Sequence, residues 1–194
     1  GLQTKVCTKV FRSSSSNQRE IKSIPPSHAK LKLSKPRGEL LMKSINSLEE
    51  MLKLSPTKSR AFIPTMGALH QGHLSLIQAA QEKHDEIVVS IFVNPTQFNQ
   101  STDLENYPRD IESDKKKLES LGVDILFLPS FEQMYPDNYH HKITENEFSK
   151  KLCGAHRPGH FDGVLSIVMK LFNIVKPQEA FFGEKDFQQL QIIK

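Results

Sequence analysis

His70 and His73 stand three positions apart where an apolar stretch gives way to a helical pattern, in Pro64-Thr65-Met66-Gly67-Ala68-Leu69-His70-Gln71-Gly72-His73. These types at this spacing suit phosphate chemistry. A strand over Ala61-Phe62-Ile63 running into a tight turn delivers both imidazoles to a helix start. Backbone N–H groups lack partners there and the helix dipole is positive. Such a start takes phosphate, and two imidazoles beside it add hydrogen-bond donors for a triphosphate. Gly67 and Gly72 leave room for a ligand to approach the backbone. Taken alone, a His-x-x-His pair is more often a surface or capping feature than a site. Zinc is the poorer reading: two more ligands are needed, and neither Cys7 nor Cys153 has a suitable partner nearby in sequence.

The surrounding elements must bring further polar groups to this turn. Ser44 to Leu54 reads as an amphipathic helix with Ile45, Leu48, Met51 and Leu52 on one side. Gly72 to about Lys83 reads as another. Ile87 to Val93 is a continuous apolar run, the mark of a strand covered on both faces. Arg109 to Leu121 is predicted helical, with Pro108 in its first turn and Gly122 just past its end. Its charged run Asp114-Lys115-Lys116-Lys117 reads as a solvated surface. Val123 to Leu128 is the next buried strand, ended by Pro129, and residues 130–160 are irregular with short helices. A helix over Phe161 to Val175, a strand over Glu179 to Phe182 and a helix over Phe187 to Ile193 follow.

Strands that alternate with helices predict an α/β domain: an open, doubly wound parallel sheet with right-handed crossovers. Ligands of such sheets bind beyond the carboxyl ends of the strands. That rule gathers three groups: His70 and His73, then Asn94-Pro95-Thr96-Gln97-Phe98, then Gly183-Glu184-Lys185-Asp186. Each has a plain alternative, a turn at Asn94-Pro95 and a capping Asp186 at a helix start. Their common location favours a site.

The 194 residues suffice for one sizeable domain, read as residues 42–194. The formal charge of +4 is unevenly placed: residues 1–41 hold nine Lys/Arg against two Asp/Glu, and the remainder seventeen against twenty. The basic segment has a run of serines and few large apolar residues, so it is expected to be flexible. It partly resembles a transit peptide, although lysine outnumbers arginine and no amphipathic period is clear, and a stretch lying ahead of a start at Met42 is at least an equal reading. It lacks the interleaved aromatics of a nucleic-acid-binding arm, so no nucleic acid partner is expected. No apolar run reaches the ~20 residues of a membrane helix. Two distant cysteines make no disulfide framework, and a cytoplasmic setting is expected.

Five ordered motifs carry a resemblance. They are the 64–73 segment, Val93-Asn94-Pro95-Thr96-Gln97-Phe98, Tyr107-Pro108-Arg109, Arg157-Pro158-Gly159-His160-Phe161-Asp162-Gly163-Val164 and Phe182-Gly183-Glu184-Lys185-Asp186-Phe187-Gln188-Gln189. From about Ile45 to Lys194 the chain closely resembles the pantothenate synthetase (pantoate–β-alanine ligase) family. The first motif alone suggests only the wider nucleotidylyltransferase and class I aminoacyl-tRNA synthetase superfamily, with its Rossmann-like fold.

The resemblance implies ATP-dependent ligation of (R)-pantoate to β-alanine through a pantoyl adenylate, with Mg2+ accompanying ATP and no metal held by the protein. It implies that His70, His73 and Lys185 act catalytically on the phosphates. ATP would be bound by Pro64, Thr65, Met66, Gly72, His73, Gly183, Lys185 and Asp186, with Asp186 on the ribose. Gln97 and Gln189 would hold pantoate. A homodimer is expected. Many relatives carry Glu where this chain has Cys153, and the basic leader has no counterpart. The family continues into a Met-Ser-x-Arg-type loop and a smaller C-terminal domain absent from these 194 residues, so this chain is expected to be a truncated, weakly active form. Two alternatives stand beside this reading: another nucleotidyltransferase of the superfamily, and a nucleotide-binding and dimerisation module without catalysis.

Overall fold

Five apolar stretches lie side by side as a parallel sheet in the computed structural model, which describes residues 8–12, by their backbone, and 41–194. The elements run β1 (Thr8–Arg12), β2 (Lys43–Ile45), α1 (Leu48–Lys53), β3 (Arg60–Thr65), α2 (Gln71–Gln81), β4 (Glu86–Ile91), α3 (Ser101–Glu105), α4 (Ile111–Ser120), β5 (Ile125–Phe127), α5 (Phe131–Met134), α6 (His160–Val175), β6 (Glu179–Gly183) and α7 (Phe187–Ile193). The sheet order is β1-β6-β3-β4-β5-β2. Every neighbouring pair is parallel except β1 with β6.

Both faces are covered, as the unbroken apolar strands require. Leu76, Ile77 and Ala80 of α2 and Leu118 of α4 pack on Ile63, Ile87, Val89 and Phe181. On the other face Met51 of α1, Val164, Ile167 and Leu171 of α6 and Leu190 of α7 pack on Phe62, Val88, Phe127 and Ala180. The chain therefore leaves β3 for one face and leaves its neighbour β6 for the other. Adjacent strands whose exits diverge open a crevice between them, which is where doubly wound folds bind ligands.

One boundary differs from expectation. Lys43–Ile45 is not the start of a helix but an edge strand paired with Ile125–Phe127. Ile45 is buried completely beside β5, and the helix starts only after Ser47, whose side chain accepts from the Glu50 N–H at 3.3 Å. The Ser-x-x-Glu spacing of Ser47 and Glu50 was the available signal. Helix α4 likewise starts later, after Asp110, whose side chain accepts from the Ser113 N–H at 3.0 Å. No strand was expected over Thr8–Arg12. The flexibility expected of the rest of residues 1–41 falls on residues 1–7 and 13–40, outside the described residues, and on Leu41.

Candidate active site

The turn after β3 contains two consecutive left-handed residues, Gly67 at φ 83° and Ala68 at φ 51°. Glycine takes this conformation freely, whereas an L-residue such as alanine incurs roughly 1–2 kcal/mol. Neighbouring groups hold the turn. The Thr65 hydroxyl donates to the Ser90 carbonyl at 2.8 Å and accepts from the Gly67 N–H at 3.2 Å. From α4, Asp114 Oδ1 accepts from the Leu69 N–H at 2.8 Å, and Lys117 Nζ donates to the Leu69 carbonyl at 2.9 Å. The lysine run read as solvated surface thus turns one member onto buried backbone.

His70 and His73 close the start of α2 reciprocally. His70 Nδ1 accepts from the Gly72 N–H at 3.1 Å, and His73 Nδ1 accepts from the His70 N–H at 3.4 Å. Their ring centroids are 4.2 Å apart. Two N–H groups expected to be open at this helix start are therefore held by the imidazoles themselves. With Nδ1 accepting, a neutral ring carries its proton on Nε2, so each ring keeps one N–H donor for a ligand. Burial pushes the His73 pKa down to about 4, and the His70 charge adds to this. Asp114 and Asp186 oppose the shift, while Lys185 reinforces it. At pH 7 His73 is thus a neutral donor. Gly72 answers to this geometry: a Cβ there would lie 2.8 Å from His70 Cε1.

The turn after β4 is built differently. Pro95–Gln97 forms a single helical turn, and Gln97 is buried. Its Nε2 donates to Met66 Sδ at 3.0 Å, and its Oε1 accepts from Asn94 Nδ2 at 3.2 Å. Asn94 is itself fixed: its Nδ2 also donates to the Gly163 carbonyl at 3.2 Å, and its Oδ1 accepts from the Tyr135 hydroxyl at 3.1 Å. His160 Nδ1 lies 2.7 Å from the Gln97 carbonyl, and burial lowers its pKa. A Cβ at Gly163 would fall 2.5 Å from the Thr96 carbonyl oxygen, so α6 meets this turn through a glycine.

At the end of β6, Lys185 and Asp186 are exposed, and Asp186 precedes α7 without capping it through its side chain. Both act electrostatically on His73, and the exits of β3 and β6 lie side by side because these strands are parallel neighbours. Pro64 lies within β3 opposite Ser90, and Gly183 ends β6. Gln189 is half-buried on the first turn of α7. Its neighbour Gln188 is buried and ties a loop: it accepts from the Gly154 N–H at 3.3 Å and donates to the carbonyls of Phe148 and Lys151 at 2.8 and 2.6 Å. Cys153 is exposed on that loop. The sequence alone assigns no individual role to Asp114, Asn94, Tyr135, His160 or Gln188. The residue types that hold a turn from another element carry no local signal.

Residues 40–194 match the family model for pantoate-beta-alanine ligase. The chain belongs to that family. Two curated pantothenate synthetases are especially similar. That of Bdellovibrio bacteriovorus is 60% identical over 133 residues, 69% of this chain and 53% of the relative. That of Thermodesulfovibrio yellowstonii is 61% identical over 137 residues, 71% of this chain and 49% of the relative. The chain spans about half the length of these relatives. Among solved structures, the Francisella tularensis pantoate-beta-alanine ligase, complexed with beta-gamma ATP and beta-alanine, superposes with a TM-score of 0.76 at 43% identity. That match covers 78% of this chain and 60% of the other. The pantothenate synthetase of Thermus thermophilus gives a TM-score of 0.75 at 43% identity, covering 78% of this chain and 55% of the other. These ligase-family relatives share the parallel α/β sheet with flanking helices.

Proposed function

We propose that this chain catalyses ATP-dependent joining of (R)-pantoate to β-alanine through a pantoyl adenylate. The observation that carries this is the parallel adjacency of β3 and β6, whose exits lead to His70 and His73 and to Lys185 and Asp186, in a chain of the ligase family. In the first step a pantoate carboxylate oxygen attacks the α-phosphorus and pyrophosphate leaves. In the second the β-alanine amine attacks the acyl carbon and AMP leaves. Neither step needs a protein nucleophile, so the protein's part is positioning and charge stabilisation.

His70 and His73 supply Nε2–H donors to the phosphates, and Lys185 supplies the cation for the departing pyrophosphate. Pro64, Thr65, Met66, Gly72, Gly183 and Asp186 complete the nucleotide side, with Asp186 on the ribose. Gln97 and Gln189 hydrogen-bond pantoate without adding charge. Mg2+ arrives with ATP, and the phosphates furnish much of its coordination, as is usual for this ion. Among the described residues no group of three or more His, Cys, Asp or Glu could hold a metal ion. We expect a cytoplasmic homodimer. Among the described residues no helix is long and apolar enough to cross a membrane.

The test is exchange of labelled pyrophosphate into ATP. Exchange that depends on pantoate and continues without β-alanine supports the adenylate. Exchange driven by a nucleotide co-substrate instead of pantoate would place the chain among other nucleotidyltransferases.

A further inference from the structure

We propose that Asp114 and Lys117 of α4 are positioning residues for ATP, acting as a two-sided clamp on the Leu69 peptide; this rests on the reading of His70 and His73 as phosphate contacts. The clamp grips both polar groups of one residue: Asp114 takes the Leu69 N–H at 2.8 Å and Lys117 takes the Leu69 carbonyl at 2.9 Å. Leu69 immediately precedes His70, and Gly67 and Ala68 before it are both left-handed. Ala68 does not hold that conformation by preference, so something outside the turn must impose it. The clamp holds the backbone of the turn from a different element, α4.

Its construction suits that task. Asp114 is 1% exposed, and its carboxylate bonds to Lys117 as well, at 3.5 Å. Its other oxygen, Oδ2, is buried without a hydrogen-bond partner and lies 3.2 Å from where a Cβ on Gly67 would stand. One side chain therefore fixes the Leu69 amide and also walls in Gly67. If the clamp opens, Ala68 is free to return to a right-handed conformation, and the direction in which His70 enters α2 changes with it. The reciprocal bonds between the two histidines depend on that entry.

The test uses Lys117→Met, on a half-exposed side chain, together with Asp114→Ala and Asp114→Asn. ATP affinity is measured by calorimetry. The proximity of the His70 and His73 rings is measured by nuclear Overhauser contacts, which do not need ATP. Lys117→Met and Asp114→Ala are each expected to weaken ATP ~10-fold, the scale of one lost charge-assisted hydrogen bond, and to diminish the ring–ring contact. Asp114→Asn keeps an acceptor for Leu69 and is expected to stay within ~3-fold of the native affinity. The deciding variant is Ala68→Gly, because glycine adopts the left-handed turn unaided. It should leave the native protein little changed, yet restore most of the affinity lost in Lys117→Met. A merely structural clamp would lower Tm with no change in the affinity of the folded protein and no rescue, and that result overturns the proposal. Native ring contacts in Lys117→Met overturn it as well. Native ATP affinity in His73→Ala, by contrast, would overturn the phosphate reading and leave the ring contacts to decide the clamp.

Discussion

At the amino ends of the strands, Arg60 is 1% exposed and its Nε and Nη1 are both engaged. It pairs with Glu86 and donates to the carbonyls of Leu54 and Val175 at 3.1 and 2.8 Å. Nearby, buried His84 lies between Ser59 Oγ at 2.7 Å and Glu179 Oε2 at 3.0 Å. The carboxyl ends of the same strands are arranged otherwise. Asp114 keeps one oxygen without a partner, His73 is held neutral by burial, and Lys185 and Asp186 stand exposed at the crevice. The burial of charge is common to both ends; its satisfaction is not. A closed network belongs to stability, and a set of groups with unused hydrogen-bonding capacity belongs to a ligand.

That contrast can be broken at either end. The largest effect is expected from Arg60→Met, which strands the Glu86 carboxylate and two carbonyls. Denaturant unfolding should show a loss of roughly 3–5 kcal/mol, as for one removed partner of a buried pair, while ATP affinity of the folded protein is unchanged. A comparable loss of ATP affinity would erase the distinction between the two ends. His73→Ala should do the reverse. Pantoate-dependent pyrophosphate exchange should fall by ~10²-fold or more, as for a lost charge-stabilising donor, with the unfolding midpoint nearly unmoved.

Gly163→Ala sharpens the comparison within the carboxyl end. Its Cβ would meet the Thr96 carbonyl at 2.5 Å, and backbone there cannot yield easily. A cost of roughly 1–3 kcal/mol in stability is expected, as for overpacking, together with weaker pantoate binding and little change for ATP. Gln97→Ala and Gln189→Ala should each raise the KM for pantoate ~10-fold, one hydrogen bond's worth, and leave the KM for ATP alone. Equal losses for both substrates would mean that the neutral turn after β4 and the phosphate turn after β3 are one site element, not two.

The smallest expected effect is on pH dependence. The His73 pKa is lowered from 6.5 to about 4 in the folded chain. Below 6.5 the unfolded chain takes up a proton that the folded chain refuses, so stability from this group is full above pH 6.5 and declines towards pH 4. In His73→Ala that slope should be shallower. ATP phosphates favour the protonated ring, so binding at about pH 5–6 should draw in protons, measurable by calorimetry in buffers of different ionisation heat. Equal heats in all buffers would remove His73 from the phosphate contacts.

Much of this was legible beforehand, because the signals were local. The apolar run at Ile87 to Val93 announced a strand covered on both faces, and the helical period of Phe161 to Val175 matched α6 to within one residue. The tight turn expected after Ala61-Phe62-Ile63 is present, with Gly67 at φ 83°. The misreadings were also local. Ile45 fits a helical face as well as a strand face, and only pairing with Phe127 decided between them.

By itself the sequence determined the order of strands and helices and the residues that follow each strand, since periodicity and turn chemistry act over a few neighbouring positions. It thereby determined that His70, Gln97 and Lys185 would share one end of a parallel sheet. The tertiary structure decided what those residues are able to do. The Leu69 peptide is fixed by a carboxylate 45 positions away, and Asn94 is held by a tyrosine 41 positions on. The neutrality of His73 comes from burial, reinforced by His70 and Lys185 and opposed by Asp114 and Asp186, groups that three separate segments bring together. Contacts of that separation depend on which faces the helices cover, and covering is settled only when the whole sheet is assembled.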